Sequence, residues 1–288
     1  MMRVLAILAA LSAAAVSACC SGTRPAESVP TNHAPPPPYA SLASRYNERC
    51  ARLEKLKAPV TLVIDAPDDK GGRRKDQVEA YLQFVAPSKV SLRVDKVGQT
   101  LAVLGSDDTR FWWIDLSEKP VAYVGTHARA TPQAAAEFGI PIHPLDLADV
   151  LAISPLPMED RKVGRMADGT LMIEMASRAP GWGPRRVYID EPTALPAKVE
   201  VRDAGGGLAL RAVLSRFVQV EVEDDHFAPA RCASRVEIFL VREDTRITLS
   251  VASPENPSAM KPKPFDFEAL VGAYGVDRTV DLDREETR

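Results

Sequence analysis

The cysteine at position 19 is the residue whose type and position most clearly predict a chemical modification. It follows a basic start (Met1-Met2-Arg3), an apolar run from Val4 to Ala15 and the small residues Ser17-Ala18. These parts, in this order, are typical of an export signal, and a cysteine directly after the small residues is placed to accept a lipid. We therefore expect residues 1–18 to be a signal peptide and Cys19 to be lipidated.

Plain secretion and a membrane-spanning helix are the alternatives for this segment. The apolar run is well short of the roughly 20 residues that a helix needs to cross the hydrocarbon core. Cys20 fits the acceptor position less well, because Ser17 and Cys19 would then stand three and one residues before it. Several acyl chains hold a protein on a membrane far more firmly than one. We expect a lipid-anchored envelope protein, and the absence of Asp at position 20, a retention mark for the inner membrane in enterobacteria, favours the outer membrane.

Two further cysteines, Cys50 and Cys232, lie far apart in the chain. Export into an oxidising compartment favours a single disulfide between them, which would connect the first helix to a late strand. Two buried free thiols are the alternative.

The sequence contains no residue pattern that predicts catalysis. It lacks GxSxG, P-loop and GxGxxG motifs, and it has no HExxH or CxxC pair. The acidic run from Glu221 to His226 is the nearest approach to a metal site, but such a run is more often a solvated hairpin turn. Net charge is −3 with both signs interspersed, so no basic face suggests nucleic acid. We predict no catalytic residue, no metal and no cofactor.

The elements that would carry a binding site begin after a proline-rich tether, residues 19–40. Apolar residues then recur at spacings of three and four between Leu42 and Leu56, which predicts an amphipathic helix. Two short helices are expected near Thr131-Pro132 and after Pro144, where His143 would take a structural or capping role.

The remaining chain consists of short runs rich in β-branched and aromatic residues, separated by turn residues. The runs are Val60 to Ile64, Val78 to Val85, Val90 to Val94, Leu101 to Leu104, Phe111 to Ile114, Val121 to Val124, Leu171 to Met175, Arg186 to Ile189, Ala197 to Val201, Leu208 to Phe217, Arg231 to Val241 and Arg246 to Val251. About eleven or twelve strands without a βαβ rhythm predict a mainly β, α+β fold. We expect a strongly curved antiparallel sheet or open β-barrel, covered by the helices.

A curved sheet of this width would enclose more volume than its own side chains fill. Strand alternation places one apolar face inward, and the candidates for the lining of a cavity are Ile64, Leu92, Leu101, Phe111 and Trp113. An ordinary packed core is the alternative for each of them. Alternation also sends Trp112 and Trp113 to opposite faces of one strand.

Several local phrases in this order resemble the LolA/LolB class of lipoprotein carriers and the related mycobacterial lipoproteins LppX and LprG. The phrases are Tyr46-Asn47, residues 87–93 and 105–115, Pro144 to Leu151, Val187 to Asp190 with Leu195 to Val199, and Phe265-Asp266-Phe267 as a closing strand. The resemblance covers roughly Ser41 to Ala269. It implies an open barrel closed by helices, with a hydrophobic cavity that shields acyl chains from water.

These observations divide the chain into a signal peptide (1–18), a lipidated cysteine and tether (19–40), an open-barrel domain (41–274) and a charged tail (275–288). The leading hypothesis is a non-enzymatic lipoprotein that binds acyl chains of a lipid or lipoprotein for transport or localisation. A tethered interaction module with a solid core, which binds another envelope protein, is the first alternative, and a hydrolase of unknown type is the second.

Overall fold

The computed structural model describes residues 34–68, 70–129, 143–178, 181–223 and 230–283. The predicted signal peptide, Cys19, most of the tether, the helix expected at Thr131-Pro132 and the end of the acidic run at Asp224 to His226 lie outside these ranges. None of the described helices combines the length and apolar character that a membrane span requires.

Three α-helices are described: α1 (Tyr39–Ala51), α2 (Pro144–Val150) and α3 (Phe267–Tyr274). Helix α1 buries Leu42, Tyr46 and Cys50 on one face, as its spacing predicts. The His143 ring accepts a hydrogen bond at Nδ1 from the Leu145 amide, at 3.1 Å. The predicted capping role of His143 is therefore confirmed.

Sixteen strands in the described ranges form the sheet. They are β1 (Lys55–Pro67), β2 (Arg73–Val85), β3 (Lys89–Lys96), β4 (Gln99–Ser106), β5 (Arg110–Asp115), β6 (Val121–Thr126), β7 (Val163–Arg165), β8 (Leu171–Ala176), β9 (Trp182–Ile189), β10 (Pro196–Asp203), β11 (Leu208–Gln219), β12 (Glu221–Val222), β13 (Arg231–Leu240), β14 (Thr245–Val251), β15 (Glu255–Asn256) and β16 (Arg278–Asp281).

The strands follow the order β16-β6-β5-β4-β3-β2-β1-β14-β13-β11-β10-β9-β8-β7, and β15 pairs with both β1 and β12. The curved sheet is not closed, which confirms the predicted open-barrel class. Two pairings are parallel, β16 with β6 and β12 with β15, so the sheet is mixed and not purely antiparallel as predicted. Strand β16 also lies within the segment predicted to be a charged tail.

The predicted closing strand at Phe265-Asp266-Phe267 is wrong. A 3₁₀ turn, Lys263–Phe265, leads directly into α3. The Asp266 carboxylate accepts a hydrogen bond from the Ala269 amide at 3.0 Å, and Gly275 ends the helix with φ at 61°. An N-terminal cap and a left-handed glycine therefore define a helix where the resemblance implied a strand.

Apolar side chains cover both faces of the strands from β4 to β6. The concave face carries the main core, which includes Leu92, Leu104 and Phe111. On the convex face, Trp112 packs against Phe267 of α3, with ring centroids 5.6 Å apart. Trp112 and Trp113 thus lie on opposite faces, as alternation predicts.

The disulfide predicted between Cys50 and Cys232 is not present, because both cysteines are buried free thiols. The Cys50 sulfur is directed to the Ser154 carbonyl oxygen, 3.5 Å away, and not to the other cysteine. Burial raises the pKa of both thiols, that of Cys232 to about 11. Both thiols are therefore protonated at neutral pH and have little reactivity.

Gly105 provides a direct test of the packing on the convex face. A Cβ atom at this position would lie 2.5 Å from Cε2 of the buried Trp112 ring. We expect Gly105→Ala to lower the free energy of unfolding by about 1–3 kcal/mol, because a well-packed indole has no room to move. Urea unfolding measures the change. Gly272→Ala in α3 is the control, since nothing lies within 4 Å of its Cβ position; equal losses in the two variants would contradict the packing argument.

Candidate functional site

The concave face of the sheet encloses an apolar cavity of about 340 Å³. Its wall is built by strands from both sides of β1, because β1 pairs with β2 on one side and with β14 on the other. The side chains that define the wall include Leu62, Ile64, Leu92, Leu101, Trp113 and Ile247. This volume lies within the range of small-molecule pockets, and the apolar lining suits a hydrocarbon ligand.

Four of the five residues predicted to line a cavity lie on this wall: Ile64, Leu92, Leu101 and Trp113. Phe111 lies elsewhere on the concave face and is fully buried. Its ring packs against the His143 ring at the start of α2, with centroids 4.3 Å apart. The N-terminal end of α2 therefore packs on Phe111, which is not part of the cavity wall.

Charged side chains surround the cavity at its solvent-exposed end. Arg74 and Asp76 form an ion pair at 2.6 Å, and Lys96 lies 3.6 Å from the same carboxylate. The Arg74 side chain is 69% exposed, so this end is the mouth. A ligand with an apolar body and a polar head group would fit this site, because the interior is apolar and the mouth is charged.

Helix α2 closes part of the cavity. Leu147 contributes to the wall, and every residue of the helix from Pro144 to Val150 is buried. A helix that is buried on all sides needs partners for its polar side chains, and α2 carries two carboxylates, Asp146 and Asp149.

The two carboxylates of α2 are held by β9 and the segment before it. Asp149 forms a buried ion pair with Arg185, and the Arg178 guanidinium lies 3.8 Å from it. Asp146 accepts a hydrogen bond from the indole nitrogen of Trp182 at 2.7 Å. Burial first, and the Asp149 carboxylate second, raise the pKa of Asp146 to about 7.

Helix α1 fixes the segment that follows α2 through backbone atoms. The Tyr46 hydroxyl donates to the Ala152 carbonyl at 3.0 Å, and the Arg49 guanidinium donates to the same oxygen. The Asn47 side chain forms two hydrogen bonds with the backbone of Leu156. Its Oδ1 accepts from the Leu156 N–H at 2.7 Å, and its Nδ2 donates to the Leu156 carbonyl at 2.9 Å. We call these contacts between α1 and residues 152–156 the backbone clamp.

Sequence reasoning missed the partners of α2 and one exposed apolar residue. The spacing of Asp146 and Asp149 on one helix was a usable signal, but Trp182 and Arg185 are distant in the chain. Val97 is 97% exposed at the tip of the turn between β3 and β4. Within the described ranges, no group of three His, Cys, Asp or Glu residues is arranged to hold a metal.

Comparisons with known proteins identify the fold of this chain. No family model matches the sequence, and a search of curated proteins finds no match either. Among solved structures, a DUF1329 family protein from Desulfovibrio piger matches with a TM-score of 0.54 and 12% identity, over 80% of this chain and 97% of its own.

Two further structures each match with a TM-score of 0.50 and 12% identity. A LolA superfamily protein from Nitrosomonas europaea is covered over 99% of its length, by 81% of this chain. A domain assigned to outer membrane lipoprotein sorting, from Vibrio parahaemolyticus, is covered over 97%, by 79% of this chain. The chain therefore has a LolA-like fold, as the resemblance in its sequence implies.

The raised pKa of Asp146 makes the stability of the closed structure depend on pH. The folded state binds this proton more tightly than the unfolded chain, whose pKa is near 3.8. The contribution of Asp146 to the unfolding free energy therefore falls as pH rises from about 4 to 7, and it is constant above that.

We expect Asp146→Asn to stabilise the protein more at pH 8 than at pH 5, by on the order of 2 kcal/mol, because asparagine keeps the acceptor for Trp182 without the charge. Urea unfolding at the two pH values measures the difference. Asp149→Asn is the comparison: it leaves Arg185 without its buried partner and should destabilise the protein by about 3–5 kcal/mol, in contrast to Asp146→Asn. An Asp146→Asn effect that is equal at pH 5 and pH 8 would refute the argument.

Proposed function

We propose that this chain is a non-enzymatic lipoprotein of the cell envelope that holds acyl chains of a lipid or lipoprotein in the concave cavity. The observation that carries the proposal is the cavity itself: about 340 Å³, with an apolar wall and a charged mouth. A solid core, as the interaction-module alternative requires, would leave no such space.

Binding in such a cavity needs no chemistry. Each methylene that moves from water into an apolar wall contributes about 0.8 kcal/mol, so a single long chain supplies enough free energy to offset the losses on association. Entry and release would then take place at the mouth, which Arg74 and Asp76 border.

The fold is compatible with this role. One neighbour of similar fold is assigned to outer membrane lipoprotein sorting and another belongs to the LolA superfamily. These likenesses support a carrier function and an envelope location for this chain. Lipidation at Cys19 and residence at the outer membrane are part of the proposal and rest on the sequence alone.

The structure adds one observation on the tether. Arg165, only 10% exposed at its side chain, forms a two-point ion pair with Glu191, with distances of 2.6 and 3.0 Å. The same guanidinium donates to the Ala34 carbonyl at 2.9 Å. The last part of the tether is thus held on the domain before α1 begins, which sets where an anchored chain leaves the domain.

Filling the cavity tests acyl binding. We expect Leu92→Trp to abolish lipid that co-purifies with the wild-type chain, because the indole occupies space on the cavity wall. Overpacking should also cost about 1–3 kcal/mol of stability. Native mass spectrometry followed by solvent extraction measures the bound lipid.

Val213→Trp on β11 is the matched control, since Val213 is 42% exposed and lies on the outer surface. Lipid retained in Leu92→Trp, or absent from the folded wild-type chain after incubation with lipid, would favour the interaction module instead.

Replacing each of the two adjacent cysteines by serine, one at a time, tests which of them carries the lipid anchor. We expect Cys19→Ser to move the exported chain from the membrane fraction to the soluble fraction, since serine provides no thiol for the lipid. Cell fractionation with immunodetection measures the distribution. Cys20→Ser should stay with the membrane; the reverse result would assign the lipid to Cys20.

A further inference from the structure

The convex face of the sheet carries a second groove, on the opposite side from the apolar cavity. It has a volume of about 340 Å³ and lies between β2, β3 and β4 on one side and the segment from Lys261 through α3 on the other. Its floor is apolar, with Val103 and Leu270 buried. Its walls are polar and cationic, which distinguishes it from the concave cavity.

Three cations line this groove: Arg93, Lys261 and Lys263. The described lining includes no carboxylate, and Arg93 forms an ion pair with Asp95, outside the lining, at 3.0 Å. The lining therefore has an excess of positive charge, and two of its cations, Lys261 and Lys263, have no ion-pair partner among the described residues.

A neighbouring groove provides a contrast within the same molecule. It also borders α3 and has cations, Lys89 and Arg110, but these face the carboxylates of Asp107, Asp266 and Glu268. Arg110 and Glu268 form an ion pair at 2.8 Å. The two cations there are outnumbered by three carboxylates of the protein itself, whereas the lining of the groove at Lys261 contains three cations and no carboxylate.

The lysines of the groove are held on a stiff segment. Lys261 and Lys263 alternate with Pro262 and Pro264, and Lys263 begins the 3₁₀ turn before α3. Proline fixes φ near −65°, so little backbone freedom is lost when the two ammonium groups engage a ligand.

The remaining wall combines hydroxyl groups with aromatic rings. Tyr81 and Tyr274 stand at opposite sides of the groove, and both are partly exposed. Tyrosine rings and lysine side chains above an apolar floor match the boundary between phospholipid headgroups and acyl chains, where amphipathic side chains are favoured.

We propose that this groove binds the phosphate of an anionic phospholipid headgroup, and so docks the convex face of the domain on a membrane surface. The inference rests on the proposed envelope location. It does not depend on acyl binding in the concave cavity, because the two sites lie on opposite faces of the sheet.

Vesicle flotation tests the proposal, with the exported chain carrying Cys19→Ser and collected in soluble form. The vesicles contain phosphatidylcholine alone or phosphatidylcholine with about 30% phosphatidylglycerol. We expect binding to the anionic vesicles only. Combined Lys261→Ala and Lys263→Ala should weaken that binding about 30-fold, because each lysine near a charged surface contributes about a factor of five.

A matched pair of exposed lysines controls for net charge. Lys119→Ala with Lys162→Ala removes two positive charges outside the groove and should leave binding within about threefold of the parent chain. An equal loss in the two double variants would overturn the groove as the binding site. Equal binding to neutral and anionic vesicles would overturn the assignment to an anionic headgroup.

The amount of acyl lipid that co-purifies with each variant distinguishes a failure of this proposal from a failure of the proposed function. Lys261→Ala with Lys263→Ala should retain co-purified lipid, whereas Leu92→Trp should lose it and still float with anionic vesicles. Loss of acyl binding in the cavity and loss of headgroup binding in the groove therefore give different combinations of lipid content and vesicle flotation.

Discussion

Strand β1 is the element on which the rest of the structure depends, because it pairs along its length with β2 and also with β14. This double pairing joins the early strands and the late strands into one sheet. The concave surface that results is apolar on both sides of β1, and such a surface is stable in water only when it is covered. The positions of α1 and α2 follow from that requirement.

The cover and the cavity make opposite physical demands. The cavity needs an apolar wall without polar groups, whereas a short helix buried against it brings backbone dipoles and carboxylates into the interior. The chain meets both demands by placing Leu147 toward the cavity and directing Asp146 and Asp149 to Trp182 and Arg185. A buried ion pair of this kind contributes less to net stability than to fixing one arrangement of the helix, since the desolvation of its charges offsets much of their attraction.

Much of the fold could be predicted from local patterns. The spacing from Leu42 to Leu56 indicated α1, and alternation along Val90 to Val94 identified the face that lines the cavity at Leu92. What could not be predicted depends on contacts between distant segments. Phe111 has the same local pattern as the cavity residues, yet α2 packs on it. The resemblance implied a strand at Phe265-Asp266-Phe267, but the Asp266 cap and Gly275 favour a helix. The disulfide prediction used the compartment and the number of cysteines, neither of which determines where a sulfur points.

The backbone clamp also has a consequence for how this protein tolerates sequence change. Tyr46, Asn47 and Arg49 reach carbonyl and amide groups of residues 152 and 156, and every amino acid except proline offers both groups. Side chains in the clamped segment are then free to diverge as far as packing allows, while a deletion that shifts the carbonyls by one position is not tolerated. Selection on this contact acts on the length of the clamped segment more than on its amino-acid identities. The length of that segment is therefore the quantity to preserve when the cavity is redesigned.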